Sequence, residues 1–324
     1  MNIVFFGTPR FAVPTLQHLL DSSHTVAGVV TQPDRPRGRG QKVTFAPVKT
    51  LALEHHVPVI QPDRLKPPQV SEALRAWNAD IGVVAAYGRI IPEHLLTIPR
   101  LGMINVHASL LPKYRGAAPV HRAVMNGDAK TGVTIMRLAK ELDAGPMFAK
   151  VTRPIGPDET SDVVEDALAG LGAELLIDVL DQLAAGTAHE ESQDDSQATY
   201  APRLTKEEGL IDWSQSAQAI HNRVRGLHPW PHAYTYLNGA RLIIRRTRVQ
   251  LAGRTVPELT GRKAPPYEGG GTVVNVDADA LFVTAGNGEE LAVLEIQPEG
   301  RRPMSVREFA AGHRIAPGDV FTSS

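Results

Sequence analysis

The first two hundred residues alternate short apolar runs with helix-like patterns, and this alternation limits the possible folds most strongly. Apolar runs typical of buried strands occur at 3–6, 26–30, 58–60, 81–85, 103–106 and 133–136. Helical spacing of apolar residues occurs between them, at 10–20, 47–55, 69–77 and 119–126. Strands that alternate with helices build βαβ units, in which helices cover both faces of a mostly parallel sheet. We therefore predict an α/β domain of this kind.

The remainder of the 324-residue chain has a different pattern of apolar runs, and the length of the chain is typical of two domains. A strand at 148–152 and a long helix at 161–185 precede a polar, acidic segment at 186–199, which we interpret as a linker. After a helical pattern at 216–227, short alternating runs occur at 233–237, 241–249, 272–276, 280–284 and 291–296, separated by Gly and Pro. Short strands punctuated by turns predict a small β-barrel or sandwich.

Composition narrows the class of protein. Hydrophobic residues make up 42% and charged residues 21%, as in a globular protein. Cysteine is absent, which excludes disulfides and thiolate zinc sites and fits a reducing compartment. No stretch reaches the roughly 18 unbroken apolar residues that a membrane helix needs. We expect a cytoplasmic protein without a membrane span, and nothing in the sequence indicates more than a monomer.

Charge is spread unevenly, although the net charge is only -1. Residues 203–263 hold eleven Lys and Arg against four acids, whereas residues 264–324 hold four basic residues against nine acids. Basic clustering is typical of proteins that contact phosphates, so one face of the second domain is a candidate nucleic-acid surface. A merely solvated surface is the alternative.

The stretch at 104–116 carries the strongest chemical signal. An apolar strand ends in Asn105 and His107, which are two residues apart and therefore share one face of the strand. An amide can donate a hydrogen bond to a carbonyl oxygen that gains charge during acyl transfer, and an imidazole can donate or move a proton at neutral pH. The carboxyl ends of parallel strands are where such sheets hold their ligands. Acyl transfer is therefore a candidate reaction.

Asp143 is a candidate partner for this pair. It stands in a loop after the strand at 133–136, and the Gly and Pro that follow it force a defined turn. A carboxylate close to His107 would fix the tautomer of the imidazole. An Asx turn without a chemical role is the alternative.

Other reaction classes find less support. Gly7-Thr8-Pro9 follows the first strand where a dinucleotide-binding fold would carry G-x-G-x-x-G, and Pro9 lacks a backbone donor, which disfavours a dehydrogenase. A serine hydrolase is disfavoured because Gly-x-Ser-x-Gly is absent. The scattered histidines lack ligand spacing, so we assign no metal.

Two loops at the same sheet edge are candidate binding elements. The loop at 31–42 is rich in Pro and Gly and carries Arg37, Arg39 and Lys42, which would suit a phosphate backbone. The loop that contains Tyr87 and Gly88 follows a buried strand and could offer backbone hydrogen bonds to a flat heterocycle. A plain surface loop is the alternative in both places.

Taken together, these segments resemble the 10-formyltetrahydrofolate-dependent formyltransferases. The resemblance rests on Asn105-Val106-His107, on Ser109-Leu110-Leu111-Pro112-x-Tyr114-Arg115-Gly116 and on Leu142-Asp143-x-Gly145. Within that family the chain is most similar to the members that act on aminoacyl-tRNA. The basic loop, Asp212-Trp213, Pro229-Trp230-Pro231 and the C-terminal β domain carry this closer likeness, which extends over essentially the whole chain.

The resemblance implies a fold and a domain organisation. We expect a Rossmann-like catalytic domain at 1–189, a linker at 190–203 and an OB-like, tRNA-binding β-barrel at 204–324. The stretch at 253–271 resembles an extended loop, to which we assign no role.

The resemblance also implies roles for residues. Asn105, His107 and Asp143 match the catalytic triplet of the family, and Arg39 lies in the loop that enters the tRNA acceptor stem. The segments that match folate-binding elements contain Ser109, Leu110, Leu111 and Pro112 and, on a second loop, Tyr87 and Gly88.

The implied reaction is formyl transfer from 10-formyltetrahydrofolate to the amino group of methionine on initiator tRNA, without a metal. A formyltransferase that acts on a small amine, such as glycinamide ribonucleotide or an amino-sugar nucleotide, is the nearest alternative, because it would share the catalytic triplet. A non-catalytic RNA-binding module is an alternative of another class. It would keep the basic surface, but it has no need for an amide, an imidazole and a carboxylate in one place.

Overall fold

The computed structural model describes residues 1–37, 42–249 and 270–323, which form two compact units. The first unit comprises Met1–Pro119, Lys130–Pro154 and Val164–Pro202, and the second comprises Val120–Ala129, Ile155–Val163 and Arg203–Ser324. Residues 190–202 thus belong to the first unit. The domain boundaries drawn from the sequence stay a prediction.

The elements of the described residues follow in chain order. The strands are β1 (Asn2–Gly7), β2 (Thr25–Val30), β3 (Arg35–Arg37), β4 (Lys42–Thr44), β5 (Val59–Ile60), β6 (Ile81–Ala85), β7 (Met103–His107), β8 (Arg115–Gly116), β9 (Lys130–Arg137), β10 (Met147–Pro154), β11 (Tyr200–Ala201), β12 (Ala233–Leu237), β13 (Ala240–Val249), β14 (Val273–Val276), β15 (Leu281–Thr284), β16 (Glu290–Pro298), β17 (Met304–Ser305) and β18 (Phe321–Thr322). The α-helices are α1 (Ala12–Asp21), α2 (Pro47–Glu54), α3 (Pro68–Ala76), α4 (Glu93–Leu96), α5 (Pro119–Met125), α6 (Ser161–Ala185), α7 (Ala217–Gly226) and α8 (Val306–Gly312), and short 3₁₀ helices lie at Asp195–Gln197 and Glu207–Gly209.

The first unit is built on a mixed sheet with the order β10-β9-β7-β6-β1-β2-β5 among the described strands. The neighbours from β5 to β7 are parallel, and β9 and β10 continue the sheet antiparallel. Ile3, Val4, Phe5 and Phe6 of β1 are all fully buried, because both faces of a parallel sheet are covered. On one face Phe6 meets Tyr87 edge to face, with ring centroids 5.5 Å apart.

The second unit contains an antiparallel barrel. Its strands follow the order β14-β15-β16-β13-β12-β18, with β17 on the side of β16. The two ends of this path are joined, because Phe321 donates its backbone N–H to Gly271 O and Val273 donates to Asp319 O, both at 2.8 Å. Inside, Trp213 stacks on Phe321 and donates to Thr235 Oγ1 at 2.9 Å. The prediction of a Rossmann-like sheet domain followed by a small OB-like β-barrel domain is confirmed.

Two segments that the sequence presents as loops contain short strands. β3 and β4 form a hairpin in which Arg37 is paired with Lys42, on either side of residues 38–41, which lie outside the described residues. In the predicted linker at 190–203, β11 pairs in parallel with β8 of the same unit. Among the described residues, no helix combines the length and apolar character needed to cross a bilayer.

Candidate active site

Asn105 and His107 lie on β7, a central strand of the first sheet. β7 pairs with β6 on one side and with β9 on the other, where Asn105 is opposite Met136 and His107 is opposite Thr134. Both side chains are largely buried, at 9% and 5% exposure. Among the described residues none hydrogen-bonds the side-chain amide of Asn105. An unpaired amide at a buried position is available to a ligand.

The imidazole of His107 has a different partner on each nitrogen. Nε2 donates a hydrogen bond to the backbone carbonyl of Tyr114 at 3.0 Å, since a carbonyl oxygen only accepts. Nδ1 faces the carboxylate of Asp143, with 3.7 Å between Nδ1 and Oδ2. This gap is longer than a hydrogen bond. A movement of about an ångström would bring these two atoms within hydrogen-bond distance.

Asp143 reaches His107 because the loop between β9 and β10 folds back over the sheet. Its backbone adopts a left-handed φ of 49°, and its Oδ2 accepts a hydrogen bond from the backbone N–H of Gly116 at 2.9 Å. Two residues later, Gly145 approaches so closely that a Cβ atom would lie 2.0 Å from Arg137 O. Glycine is therefore required there, and the turn holds the carboxylate in a defined place.

The segment after β7 is braced by internal hydrogen bonds. Ser109 is fully buried and donates its hydroxyl to Lys113 O at 2.6 Å. Thr134 Oγ1 donates to Ser109 O at 2.7 Å and accepts from Leu111 N at 3.2 Å, just before the cis bond to Pro112. These contacts build a rigid turn beside His107. Folate binding by Ser109, Leu110, Leu111 and Pro112 stays a prediction.

The loop after β6 lies beside Asn105, because Val84 of β6 is paired with Asn105 of β7. The side chain of Tyr87 is 1% exposed and packs in the core, and its carbonyl accepts from Gln32 Nε2 at 2.7 Å. Gly88 is exposed, with a left-handed φ of 80°. If this loop binds folate, Tyr87 contributes through its backbone and Gly88 through its small size.

The basic loop is anchored at its base by Asp34. Its carboxylate pairs with Lys49 and accepts from Gln61 Nε2 at 3.1 Å. Burial alone would raise the pKa of Asp34, but the hydrogen bonds from Lys49, Gln61 and the Ala46 amide outweigh burial and lower this pKa. Arg37 and Lys42 stand on the hairpin strands next to this anchor, whereas Arg39 lies outside the described residues.

Sequence reasoning did not find Gln193, which contacts the Asp143 loop. Its Nε2 donates to Asp143 O and Gly145 O, each at 2.8 Å. Its Oε1 accepts from Arg115 Nε at 3.1 Å and Nη2 at 2.9 Å. In the sequence it is one amide in an acidic stretch without periodicity, and no signal sets it apart.

Two family models match most of the chain. The model of the family described as "Formyl transferase" matches residues 1–180, and the model described as "Formyl transferase, C-terminal domain" matches residues 203–314. The chain is 46% identical over 320 residues to the methionyl-tRNA formyltransferase of Citrifermentans bemidjiense, covering 99% of this chain and 96% of that one. It is 48% identical over 316 residues to the methionyl-tRNA formyltransferase of Methylococcus capsulatus, covering 98% of each.

A solved structure supports the fold independently. The N-formyltransferase from Helicobacter canadensis, in complex with folinic acid and dTDP-3-aminofucose, has a TM-score of 0.63 at 16% identity. The match covers 90% of this chain and 98% of that one. The resemblance drawn from Asn105, His107 and Asp143 and their flanking motifs is thereby confirmed at the level of the family. This chain belongs to the formyl transferase family and, within it, to the methionyl-tRNA formyltransferases.

Proposed function

We propose that this chain transfers the formyl group of 10-formyltetrahydrofolate to the amino group of methionine on initiator Met-tRNA. The product, N-formylmethionyl-tRNA, serves translation initiation. The observation that carries the chemistry is the unpaired amide of Asn105 on the same strand face as His107, whose Nδ1 is 3.7 Å from Asp143. The reaction forms a bond between the amine and the formyl carbon, breaks the bond from that carbon to N10 and moves one proton from the amine to N10.

Asn105 stabilises the charge that develops on the formyl oxygen. The N–H groups of its side chain bond none of the described residues. A substrate oxygen can therefore accept a hydrogen bond from them without breaking an existing one. Its position on a central strand fixes its direction before the substrate arrives. One such preorganised donor supplies about 3–4 kcal/mol of transition-state stabilisation.

His107 and Asp143 handle the proton. The backbone N–H of Gly116 and the turn at Gly145 hold the carboxylate, and Tyr114 O fixes the far side of the imidazole. Nδ1 therefore faces the carboxylate across a gap that a small movement closes. The pair accepts the proton of the attacking amine and returns it towards the leaving nitrogen.

We infer that the formyl donor binds beside Asn105. On one side, the loop after β6 presents Gly88, whose lack of a side chain permits a flat ring to approach the backbone. On the other side, Ser109 to Pro112 form the rigid turn that follows His107. We assign folate binding to these two segments, with no metal in the reaction.

The tRNA is held by basic elements. Arg37, Arg39 and Lys42 lie in the sequence segment 31–42 of the catalytic domain at 1–189, and ten of the eleven basic residues of 203–263 lie in the domain at 204–324. Phosphate contacts by such residues position a nucleic acid without reading its bases. We assign the protein to the cytoplasm, as a monomer.

One assay tests the function. Labelled 10-formyltetrahydrofolate is offered to the enzyme with initiator Met-tRNA, uncharged tRNA, glycinamide ribonucleotide or an amino-sugar nucleotide. We expect label on Met-tRNA alone, at a rate at least a hundredfold above that for any small amine. Transfer to a small amine at a comparable rate would contradict the proposal.

A further inference from the structure

The acidic segment after α6 contacts the loop that carries Asp143 and the chain at Tyr114 and Arg115. Gln193 donates from Nε2 to the carbonyls of Asp143 and Gly145, each at 2.8 Å, and its Oε1 accepts twice from Arg115. Carbonyls only accept and a guanidinium only donates, so one orientation of the amide satisfies all four contacts. Glutamine is the side chain whose length and mixed donor and acceptor ends suit this position.

The partner of Gln193 is itself held firmly. Arg115 is 4% exposed and donates from Nη2 to Asp195 Oδ1 at 2.6 Å. Its backbone N–H donates to Thr199 O at 2.8 Å, and Thr199 Oγ1 accepts from Tyr114 N at 2.9 Å. The segment thus binds the chain at Tyr114 and Arg115, immediately before the Gly116 amide that holds the Asp143 carboxylate.

Gln193 bonds the backbone at Asp143, whose conformation is unfavourable without stabilising contacts. Asp143 has a left-handed φ of 49°, which costs a residue with a Cβ atom more than it costs glycine. Its carboxylate stands 3.7 Å from His107 Nδ1, so a shift of about an ångström decides whether the two groups can exchange a proton. A hydrogen bond to the Asp143 carbonyl resists that shift directly.

We propose that Gln193 is a positioning residue for formyl transfer, which locks the Asp143 loop to Arg115 and thereby sets the distance between Asp143 and His107. This inference rests on the proposed function, in which Asp143 works with His107. Gln193 bonds the Asp143 loop and Arg115, and its effect on the reaction passes through Asp143. Gln193, which lies in the segment predicted as a linker, is on this view a part of the catalytic apparatus, whereas the exposed residues of the segment are not.

A double-mutant cycle tests the inference. Gln193→Glu keeps an acceptor for Arg115 but removes both donors to the loop carbonyls, and Gln193→Met removes all four contacts at similar length. Each is measured in the wild-type background and in Asp143→Asn, with kcat and KM for Met-tRNA and a thermal melt. Gln197→Glu, an exposed change of the same kind in the same segment, is the matched control.

We expect Gln193→Glu and Gln193→Met to lower kcat at least tenfold in the wild-type background, with KM for Met-tRNA within about twofold. In the Asp143→Asn background the same substitutions should change kcat less than twofold, because the group through which they act is gone. Gln197→Glu should match the wild type throughout. If Gln193→Glu fails to fold, the cycle is read from Gln193→Met.

Two results would overturn the inference, and they differ from failure of the proposed function. An unchanged kcat in both Gln193 variants would exclude a positioning role while Asp143→Asn remained slow. An equal loss in both backgrounds would show that Gln193 acts on general structure instead. If Asp143→Asn itself had the wild-type kcat, the catalytic role of Asp143 would be wrong, and the inference would fail with it.

Discussion

At the scale of single residues, the three candidate catalytic side chains are held by different means. Asn105 and His107 are fixed by β7, whose pairing on both sides leaves little freedom. Asp143 is fixed by a turn, through a left-handed backbone, the close approach of Gly145 and the Gly116 amide. The strand pair is therefore the rigid half of the site, and the turn is the half that depends on supporting contacts.

We expect Asn105→Ala to lower kcat/KM for formyl transfer about a hundredfold to a thousandfold, the cost of losing one preorganised donor. Its melting temperature should stay within a few degrees of the wild type, since the amide bonds no described residue. Gln17→Ala removes an amide that, among the described residues, hydrogen-bonds only Asp21, and it serves as the control for steady-state assays and melts. A loss of activity that merely tracks unfolding would contradict the assignment.

Sequence reasoning reached these residues unequally. The common face of Asn105 and His107 follows from strand periodicity alone, so it could be predicted. The approach of Asp143 to His107 joins residues 36 positions apart, and only the residue types suggested it. The contact between Gln193 and Asp143 spans 50 positions and has no local pattern at all.

At the scale of elements, strands and helices with periodic apolar runs could be predicted from the sequence, whereas very short strands could not. The predicted strand at 81–85 coincides with β6, and the predicted helix at 161–185 coincides with α6. β8 and β11 have two residues each, too few to show alternation, and they form because the chain segments are brought together by tertiary contacts. The β3–β4 hairpin is rich in Pro, Gly and Arg, a composition that favours a loop.

Alanine substitutions at two glycines of the first unit should have opposite effects on the free energy of unfolding. At Gly132 on β9 a Cβ atom would lie 2.0 Å from Val151 O and 2.5 Å from the Leu110 side chain, so Gly132→Ala should lower the free energy of unfolding by about 1–3 kcal/mol. At Gly170 in α6 nothing lies within 4 Å, so Gly170→Ala should raise it by about 0.5–1 kcal/mol. Denaturant titration measures both, and a stabilised Gly132→Ala would show that the strands are less tightly paired than described.

At the scale of the whole molecule, the two units differ in architecture and in the residues that they carry. The sheet of the first unit carries the candidate chemistry, and β13 of the barrel carries four of the eleven basic residues counted at 203–263, namely Arg241, Arg245, Arg246 and Arg248. The change after Tyr200, from alternating strand and helix patterns to short strand patterns separated by Gly and Pro, predicts two domains. It could not predict that residues 120–129 and 155–163 join the second unit, because that depends on tertiary packing.

The second unit should lose stability in acid through His232. Burial, and then the nearby Arg245, lower the pKa of His232 from 6.5 to about 4. Between about pH 6.5 and about pH 4, His232 is therefore protonated in the unfolded chain but not in the folded one. The contribution of His232 to stability is complete above pH 6.5 and is lost progressively as the pH falls to about 4. The loss reaches up to about 3 kcal/mol.

His232→Asn removes the titration and tolerates the left-handed φ of 68° at this position. Melts between pH 7 and 4 should show a smaller loss of stability in this variant than in the wild type. Identical pH dependence in the two proteins would exclude His232 as a source of the acid sensitivity.

Binding of Met-tRNA should weaken steeply with salt, because phosphate contacts release counterions. Affinity measured by filter binding or fluorescence should fall at least tenfold between about 50 and 200 mM salt. Arg39→Ala should bind more weakly and show a shallower dependence on salt. An affinity that is independent of salt would contradict the assignment of the basic elements to tRNA.

The most direct test of the account is the single-turnover rate of formyl transfer to Met-tRNA by His107→Asn, with enzyme saturated by 10-formyltetrahydrofolate and a melt in parallel. We expect a rate at least a hundredfold below that of the wild type in a protein that melts normally. A folded His107→Asn enzyme that transfers formyl groups within threefold of the wild-type rate would contradict it.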